Sequence, residues 1–301
     1  MADDNFVQSF QLESSNIRGR IVRLGGVLDD ILGRHADYPE EARYLAGETL
    51  VLCVLLASML KYEGVFTLQA QGDGPVDTLV ADVTSEGHVR SCATFKEGGD
   101  ISFTYDRNRA ELLGSGHMAF TVDQGDFTDR YQGVVELKSE SLIASVQNYF
   151  VQSEQIATGI VISVGRDGDG RWRGCGLMLQ QMPDDAAAYN NREESNIDED
   201  DWRRTMVLLG SVTEREMLDS GLPAQDLLYR LFHEEGVRVY ETRPLADQCR
   251  CSPERVRAIL SGMSEDDIED VTVDGVIAMH CEFCSRDYNF DPAEFKEGEM
   301  Q

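Results

Sequence analysis

The densest apolar stretch of the chain falls in Glu40–Lys61, whose second half is apolar around its whole circumference. That pattern predicts a helix buried in a core rather than lying on a surface. A second helix is predicted over Ser139–Gln152, with Leu142, Ile143, Val146 and Phe150 on one face. Between and around these, short apolar and β-branched runs predict strands at Ile17–Leu24, Val65–Gln71, Thr78–Val83, Val89–Thr94, Met118–Val122, Gln132–Leu137, Gly159–Val164 and Cys175–Gln180. Gly72-Asp73-Gly74-Pro75 and Asp167-Gly168-Asp169-Gly170 punctuate them as turns. Hairpin-connected strands with a few helices, and no regular βαβ alternation, indicate an α+β fold.

The pattern changes near Pro183–Asp201. Ala186–Ala188 lead into Glu193, Glu194, Asp198, Glu199, Asp200 and Asp201, a charge run that reads as a solvated linker. Short amphipathic helices follow: Trp202–Leu209, a capping box at Thr213-x-x-Glu216, and Pro223–Glu235 with Leu227, Leu228, Leu231 and Phe232 on one face. These helices are too short to make a core of their own and need a surface to dock on. The division expected is an N-terminal mixed α/β sheet domain over residues 1–185, an acidic helical linker over 186–244, and a small C-terminal domain over 245–301.

Composition narrows the function classes. The chain has 301 residues, with 27 Lys+Arg against 55 Asp+Glu and a net charge of −28. Such a charge repels phosphate backbones, so nucleic acid is disfavoured as the main partner. The apolar run Thr49–Leu60 is well short of the roughly 20 residues that a bilayer crossing needs, and the N-terminus, with Asp3 and Asp4, lacks the basic and apolar regions of a signal peptide. A cytoplasmic protein with reduced thiols and no membrane partner is expected.

Seven cysteines then need an explanation, and four of them form a pattern. Cys249-Arg250-Cys251 and Cys281-Glu282-Phe283-Cys284 are two close thiol pairs, the arrangement of a tetrahedral Cys₄ zinc site with one ion per chain. Ser252-Pro253 reads as N-cap and first residue of a helix Pro253–Leu260, which puts the first pair at a helix entrance. Val271–Val273, Asp274-Gly275 and Val276–Met279 read as a tight hairpin delivering the second pair. Only Tyr288 and Phe290 follow as large apolar groups, so this tail needs a metal or another staple. Such a centre is either purely structural or, because metal binding energy is folding energy in a small domain, a redox switch. Cys53, Cys92 and Cys175 read as buried structural residues, and His280 as a weak alternative ligand. His233 reads as a helix-surface residue. Gly72-Asp73-Gly74 lacks the third glycine of a dinucleotide fingerprint, and Asp167–Gly170 lacks the spaced acids of a calcium loop.

The cysteine pattern with Tyr288 and Phe290 resembles the redox-regulated 33-kDa heat-shock chaperone family of bacteria. The likeness runs through Leu68-Gln69-Ala70-Gln71-Gly72-Asp73-Gly74-Pro75, Tyr131–Leu137, Tyr149–Gln155 (with Ser153-Glu154-Gln155), Gly176–Gln180 and Leu227–Glu234. The resemblance implies a holdase without ATPase activity and without enzymatic turnover. It implies zinc on Cys249, Cys251, Cys281 and Cys284 in the reduced, inactive form, and disulfides within each neighbouring pair on oxidation. Loss of zinc, unfolding of the tail, detachment of the linker, dimerisation and binding of unfolding client proteins are implied to follow. Docking of the linker through Leu227, Leu228, Leu231 and Phe232 is the expectation from their spacing. The alternatives are a thiol oxidoreductase working through Cys281-x-x-Cys284, which would be preceded by a thioredoxin-like βαβ unit, and a structural zinc adaptor.

Overall fold

A helix that is apolar on every side needs apolar walls on every side, and the strands flanking it in sequence supply them. The computed structural model describes residues 4–96, 109–123, 131–138, 141–182 and 194–295. The chain divides into two units, Met1–Asp247 and Gln248–Gln301. The first runs β1 (Asn5–Leu12), β2 (Ile17–Leu24), α1 (Gly26–Arg34), α2 (Glu40–Ala57), β3 (Val65–Gly72), β4 (Val76–Thr84), β5 (His88–Phe95), β6 (Ser115–Asp123), β7 (Tyr131–Lys138), α3 (Leu142–Tyr149), β8 (Thr158–Arg166), β9 (Trp172–Gln181), α4 (Glu194–Gly210), α5 (Glu214–Leu218), α6 (Ala224–Phe232), β10 (Val237–Pro244) and β11 (Ala246–Asp247). The second holds α7 (Pro253–Leu260), α8 (Glu265–Asp270), β12 (Thr272–Val273), β13 (Val276–His280) and β14 (Asp287–Phe290). The architecture is mixed α+β.

Two sheets make up the first unit among the described residues, in the strand orders β10-β1-β2-β9-β8 and β11-β5-β4-β3-β6-β7. α2 lies between them. Val51, Leu52, Val54, Leu55 and Leu56 share one core with Val22, Leu24 and Met178 of the first sheet and Leu68, Ala70, Leu79 and Ala81 of the second. Cys53 belongs to that core, its thiol donating to the Ala81 carbonyl at 3.2 Å. The helix stops at Ala57, short of the expected Lys61, because the Ser58 hydroxyl turns back to the Leu55 carbonyl at 2.6 Å and the turn completed at Gly64 (φ 100°) starts β3. At Gly176 on β9 an added Cβ would stand 2.6 Å from Val51 Cγ1 and 2.9 Å from Leu55 Cδ1, so the missing side chain lets α2 settle on the sheet. Gly176→Val is expected to destabilise the first unit by about 1–3 kcal/mol through overpacking. A urea titration checks this, and an unchanged midpoint would mean that α2 tolerates displacement.

Further differences from the sequence pattern lie among the helices. α1 adds a helix that the pattern did not single out. The helix expected over Ser139–Gln152 begins at Leu142, with Ser141 as its N-cap accepting from the Ala144 amide at 3.1 Å; residues 139 and 140 lie outside the described residues. It ends in a wider turn, Phe150–Glu154, closed by Gln155 in the left-handed region at φ 57°. The linker helix expected over Trp202–Leu209 starts earlier, at Glu194, since acidic residues suit a helix N-terminus as well as they suit a solvated loop. Ala186–Ala188 and Glu193 lie outside the described residues.

The opposite face of the first sheet is covered by α4–α6. Phe10, Leu12, Ile17, Ile21, Cys175, Leu177 and Leu179 form a second core with Leu209, Met217, Leu227, Leu228, Leu231 and Phe232. The Phe10 and Phe232 rings stack with centroids 6.0 Å apart. Polar contacts fix the helices in place. The Thr213 hydroxyl accepts from the Glu216 amide, while the Glu216 carboxylate accepts from the Thr213 amide at 3.0 Å. The buried Arg23 donates to the Asp219 carbonyl at 2.9 Å. Glu235, only 3% exposed, accepts from Arg204 at 2.6 and 2.9 Å and from the Ser14 hydroxyl at 2.6 Å.

The hydrogen bonds from Arg204, and then from Ser14, hold the Glu235 carboxyl below its ordinary pKa against the burial that raises it. A depressed folded pKa contributes stability that is complete above the unfolded value and disappears as pH falls through the folded one. Acidification below the usual carboxylate range is therefore expected to loosen α4 and α6 before the α2 core. Hydrogen exchange at a series of pH values reads this out, with Glu235→Gln flattening the dependence; an unchanged dependence in the variant would remove Glu235 as its source.

The second unit has a small core of Leu260, Ile268, Ile277 and Phe290. Ser252 caps α7, its side chain accepting from the Arg255 amide at 3.2 Å with Pro253 at the first helical position. Ser264 and Asp267 form a capping box on α8. β12 and β13 are joined by Asp274 (φ 51°) and Gly275 (φ 77°), the two left-handed residues that a tight hairpin turn requires.

Candidate metal centre

Two local structures bring the cysteines together within the second unit. Cys249 and Cys251 lie in the irregular segment that enters α7, ahead of the Ser252 cap. Cys281–Ser285 forms a knuckle between β13 and β14. The Cys284 and Ser285 amides both bond back to the Cys281 carbonyl, at 3.3 and 2.8 Å, and Ser285 takes a left-handed φ of 53°. The Cys281 amide bonds to the Arg286 carbonyl at 2.9 Å, which closes the knuckle onto the hairpin.

The four sulfurs converge, all within 4.8 Å of one another. Cys249 and Cys281 are 3.7 Å apart, Cys251 and Cys284 3.2 Å, and none of the four is in a disulfide. A tetrahedral zinc centre with Zn–S of about 2.3 Å places its sulfurs about 3.8 Å apart, so the cluster has the dimensions of such a ligand set. Its electrostatics agree. Burial, and then the contact with Cys251, pushes the Cys284 thiol well up, and burial does the same to Cys281. Thiols this close cannot all ionise by themselves, whereas a divalent cation among them deprotonates its ligands outright.

The remaining candidates lie elsewhere. His280 Nδ1 pairs with Asp287 Oδ1 at 2.7 Å on the exposed side of the hairpin. His233 caps the end of α6, exposed, with Nδ1 3.2 Å from the Tyr229 carbonyl. Cys53, Cys92 and Cys175 are buried in the first unit. The Cys175 thiol is pushed up to about 11 by burial, against the opposing pull of Arg23. Gly72–Pro75 forms the turn from β3 to β4. Asp167 spends a carboxylate oxygen on the amides of Asp169 and Arg171, at 2.9 and 3.0 Å, bracing the β8–β9 turn. Leu227, Leu228, Leu231 and Phe232 are brought together under the first sheet, each less than 4% exposed. One functional group escaped the sequence pattern: the Tyr288 hydroxyl, which donates to Cys251 Sγ at 3.1 Å. Its position four residues after Cys284 was the available signal, but Tyr288 read only as an apolar group.

Comparison with known proteins extends this picture over the whole chain. The family described as Hsp33 protein matches residues 5–291. A 33 kDa chaperonin of Caulobacter vibrioides is 40% identical over 296 residues, covering 96% of this chain and 95% of that protein. One from Vibrio cholerae is 33% identical over 297 residues, covering 98% and 95%. The crystal structure of the 33 kDa chaperonin from Thermotoga maritima is similar with a TM-score of 0.77 at 23% identity, covering 97% of each chain, a likeness of fold. Among the described residues no helix is long and apolar enough to cross a membrane.

Proposed function

The chain belongs to the Hsp33 family, and from that premise we propose that it is a redox-regulated, ATP-independent holdase of the cytoplasm rather than an enzyme. The observation that carries the reading is the convergence of four cysteine thiols in a unit with only a handful of buried apolar residues among the described residues. Zinc bound by Cys249, Cys251, Cys281 and Cys284 would supply the folding energy that so small a core lacks.

Oxidation dismantles the ligand set. Each neighbouring pair of thiolates, Cys249 with Cys251 and Cys281 with Cys284, would give up two electrons to one peroxide, which takes two protons from solvent and is reduced to two waters, and one disulfide forms per pair. The sulfurs can then no longer act as ligands, and residues 245–301 lose their fold. The linker, residues 186–244, is the segment released next. Its apolar face, Leu227, Leu228, Leu231 and Phe232, would then be free to hold unfolding client proteins, and the activated chain would dimerise. The charge of −28 keeps such an exposed surface soluble.

The test is suppression of aggregation of a thermally unfolding protein before and after peroxide treatment, with zinc release followed in the same sample. Protection should be absent in the reduced protein and appear as zinc is released. Equal protection in both states, or catalytic turnover of a disulfide substrate, would overturn the reading.

A further inference from the structure

One hydroxyl in the second unit is aimed at sulfur. Tyr288 lies on β14 opposite Met279 of β13, and its ring packs against the small core. From there the phenol donates to Cys251 Sγ at 3.1 Å. Arg286, just ahead of β14, closes the knuckle by accepting from the Cys281 amide through its carbonyl. A single side chain thus ties the Cys249–Cys251 segment to the Cys281–Cys284 knuckle without being a ligand itself.

Resting on the metal–thiolate reading above, we propose that Tyr288 is a positioning residue that holds the Cys251 sulfur in place and restrains its reaction with oxidants. In that reaction the Cys251 thiolate attacks one peroxide oxygen. An S–O bond forms, the O–O bond breaks, and hydroxide leaves and is protonated by solvent. A neighbouring thiol then displaces water from the sulfenic acid to close the disulfide. A hydrogen bond into the sulfur lone pair stabilises the thiolate and weakens as the sulfur gives up electron density. Its donor therefore raises the barrier to oxidation while it supports the ligand.

Tyr288→Phe removes the hydroxyl and keeps the ring with its packing. With cobalt(II) in place of zinc, the sulfur-to-metal charge-transfer band of the full-length variant is expected to move to lower energy, as a thiolate does on losing a hydrogen bond. With zinc, release driven by hydrogen peroxide is expected to quicken by about tenfold, the lower end of what the loss of an outer-shell partner costs. A fluorotyrosine at position 288, a stronger donor, should shift band and rate the other way, and it decides the matter if the phenylalanine variant does not hold metal. Unchanged band and release rate in the variant that binds metal would overturn the role of Tyr288 and leave the metal reading intact. A parent protein that shows no sulfur-to-cobalt band would overturn both.

Discussion

Cys281→Ser is expected to abolish tight zinc binding and to unfold residues 248–295, leaving the first unit folded. The argument is one of size. Among the described residues, the second unit buries only Leu260, Ile268, Ile277 and Phe290 of its large apolar side chains, together with Cys284. A domain of that extent is marginal without a metal or another staple. Structural zinc is worth roughly 10–16 kcal/mol of folding free energy in small domains, far more than that core supplies. Serine offers a poor oxygen ligand in place of a thiolate. The first unit has its own core around α2, so its far-ultraviolet and thermal signatures should persist. Elemental analysis with amide spectra of the two units checks this. Unchanged zinc stoichiometry and affinity in Cys281→Ser would eliminate the site.

How far the sequence foretells this structure depends on whether a feature is local. The Thr213 capping box, the Ser252-Pro253 helix start and the Asp274-Gly275 hairpin turn are chemistries confined to a few neighbouring residues, and each is found where its motif stands. The thiol cluster was legible because two short spacings leave a metal few other arrangements. β1 and β10 were not legible. They pair across more than 220 residues, for instance Gln11 with Arg238, and β10 is mostly exposed with charges at Arg238, Glu241 and Arg243, so no alternation marks it. α1 was not legible either: Gly25, Gly26 and Gly33 lower its helix propensity, no side chain caps its start, and it is held by burial of Val27, Leu28, Ile31 and Leu32. The Tyr288 hydroxyl illustrates the same limit at the scale of one atom. Its bond to Cys251 spans 37 residues and exists only once the hairpin has formed.

Phe232→Ala is expected to free the linker under conditions that leave the parent closed. Phe232 is fully buried, stacks on Phe10 of β1, and shares its core with Leu227, Leu228 and Leu231. Truncating a buried phenylalanine costs about 3–5 kcal/mol. If even 3 kcal/mol of this falls on docking, the undocked population rises by about two orders of magnitude, at roughly 1.4 kcal/mol per factor of ten. Amides of α4–α6 should then exchange much faster, while those of α2, held in the other core, should not change. Tyr229→Ala on the same helix is the matched control: that side chain is 67% exposed, so its loss should fall within about 0.5 kcal/mol. Heat and oxidation should also become less dependent on each other. In the parent, oxidation at low temperature should release zinc yet give only partial client protection, because the docked helices still have to separate from the sheet. In Phe232→Ala that second requirement is already relaxed, and cold oxidation alone should give nearly full protection. Equal exchange of α4–α6 in variant and parent would refute docking through this face, and full protection by the cold-oxidised parent would show that linker release is not a separate step.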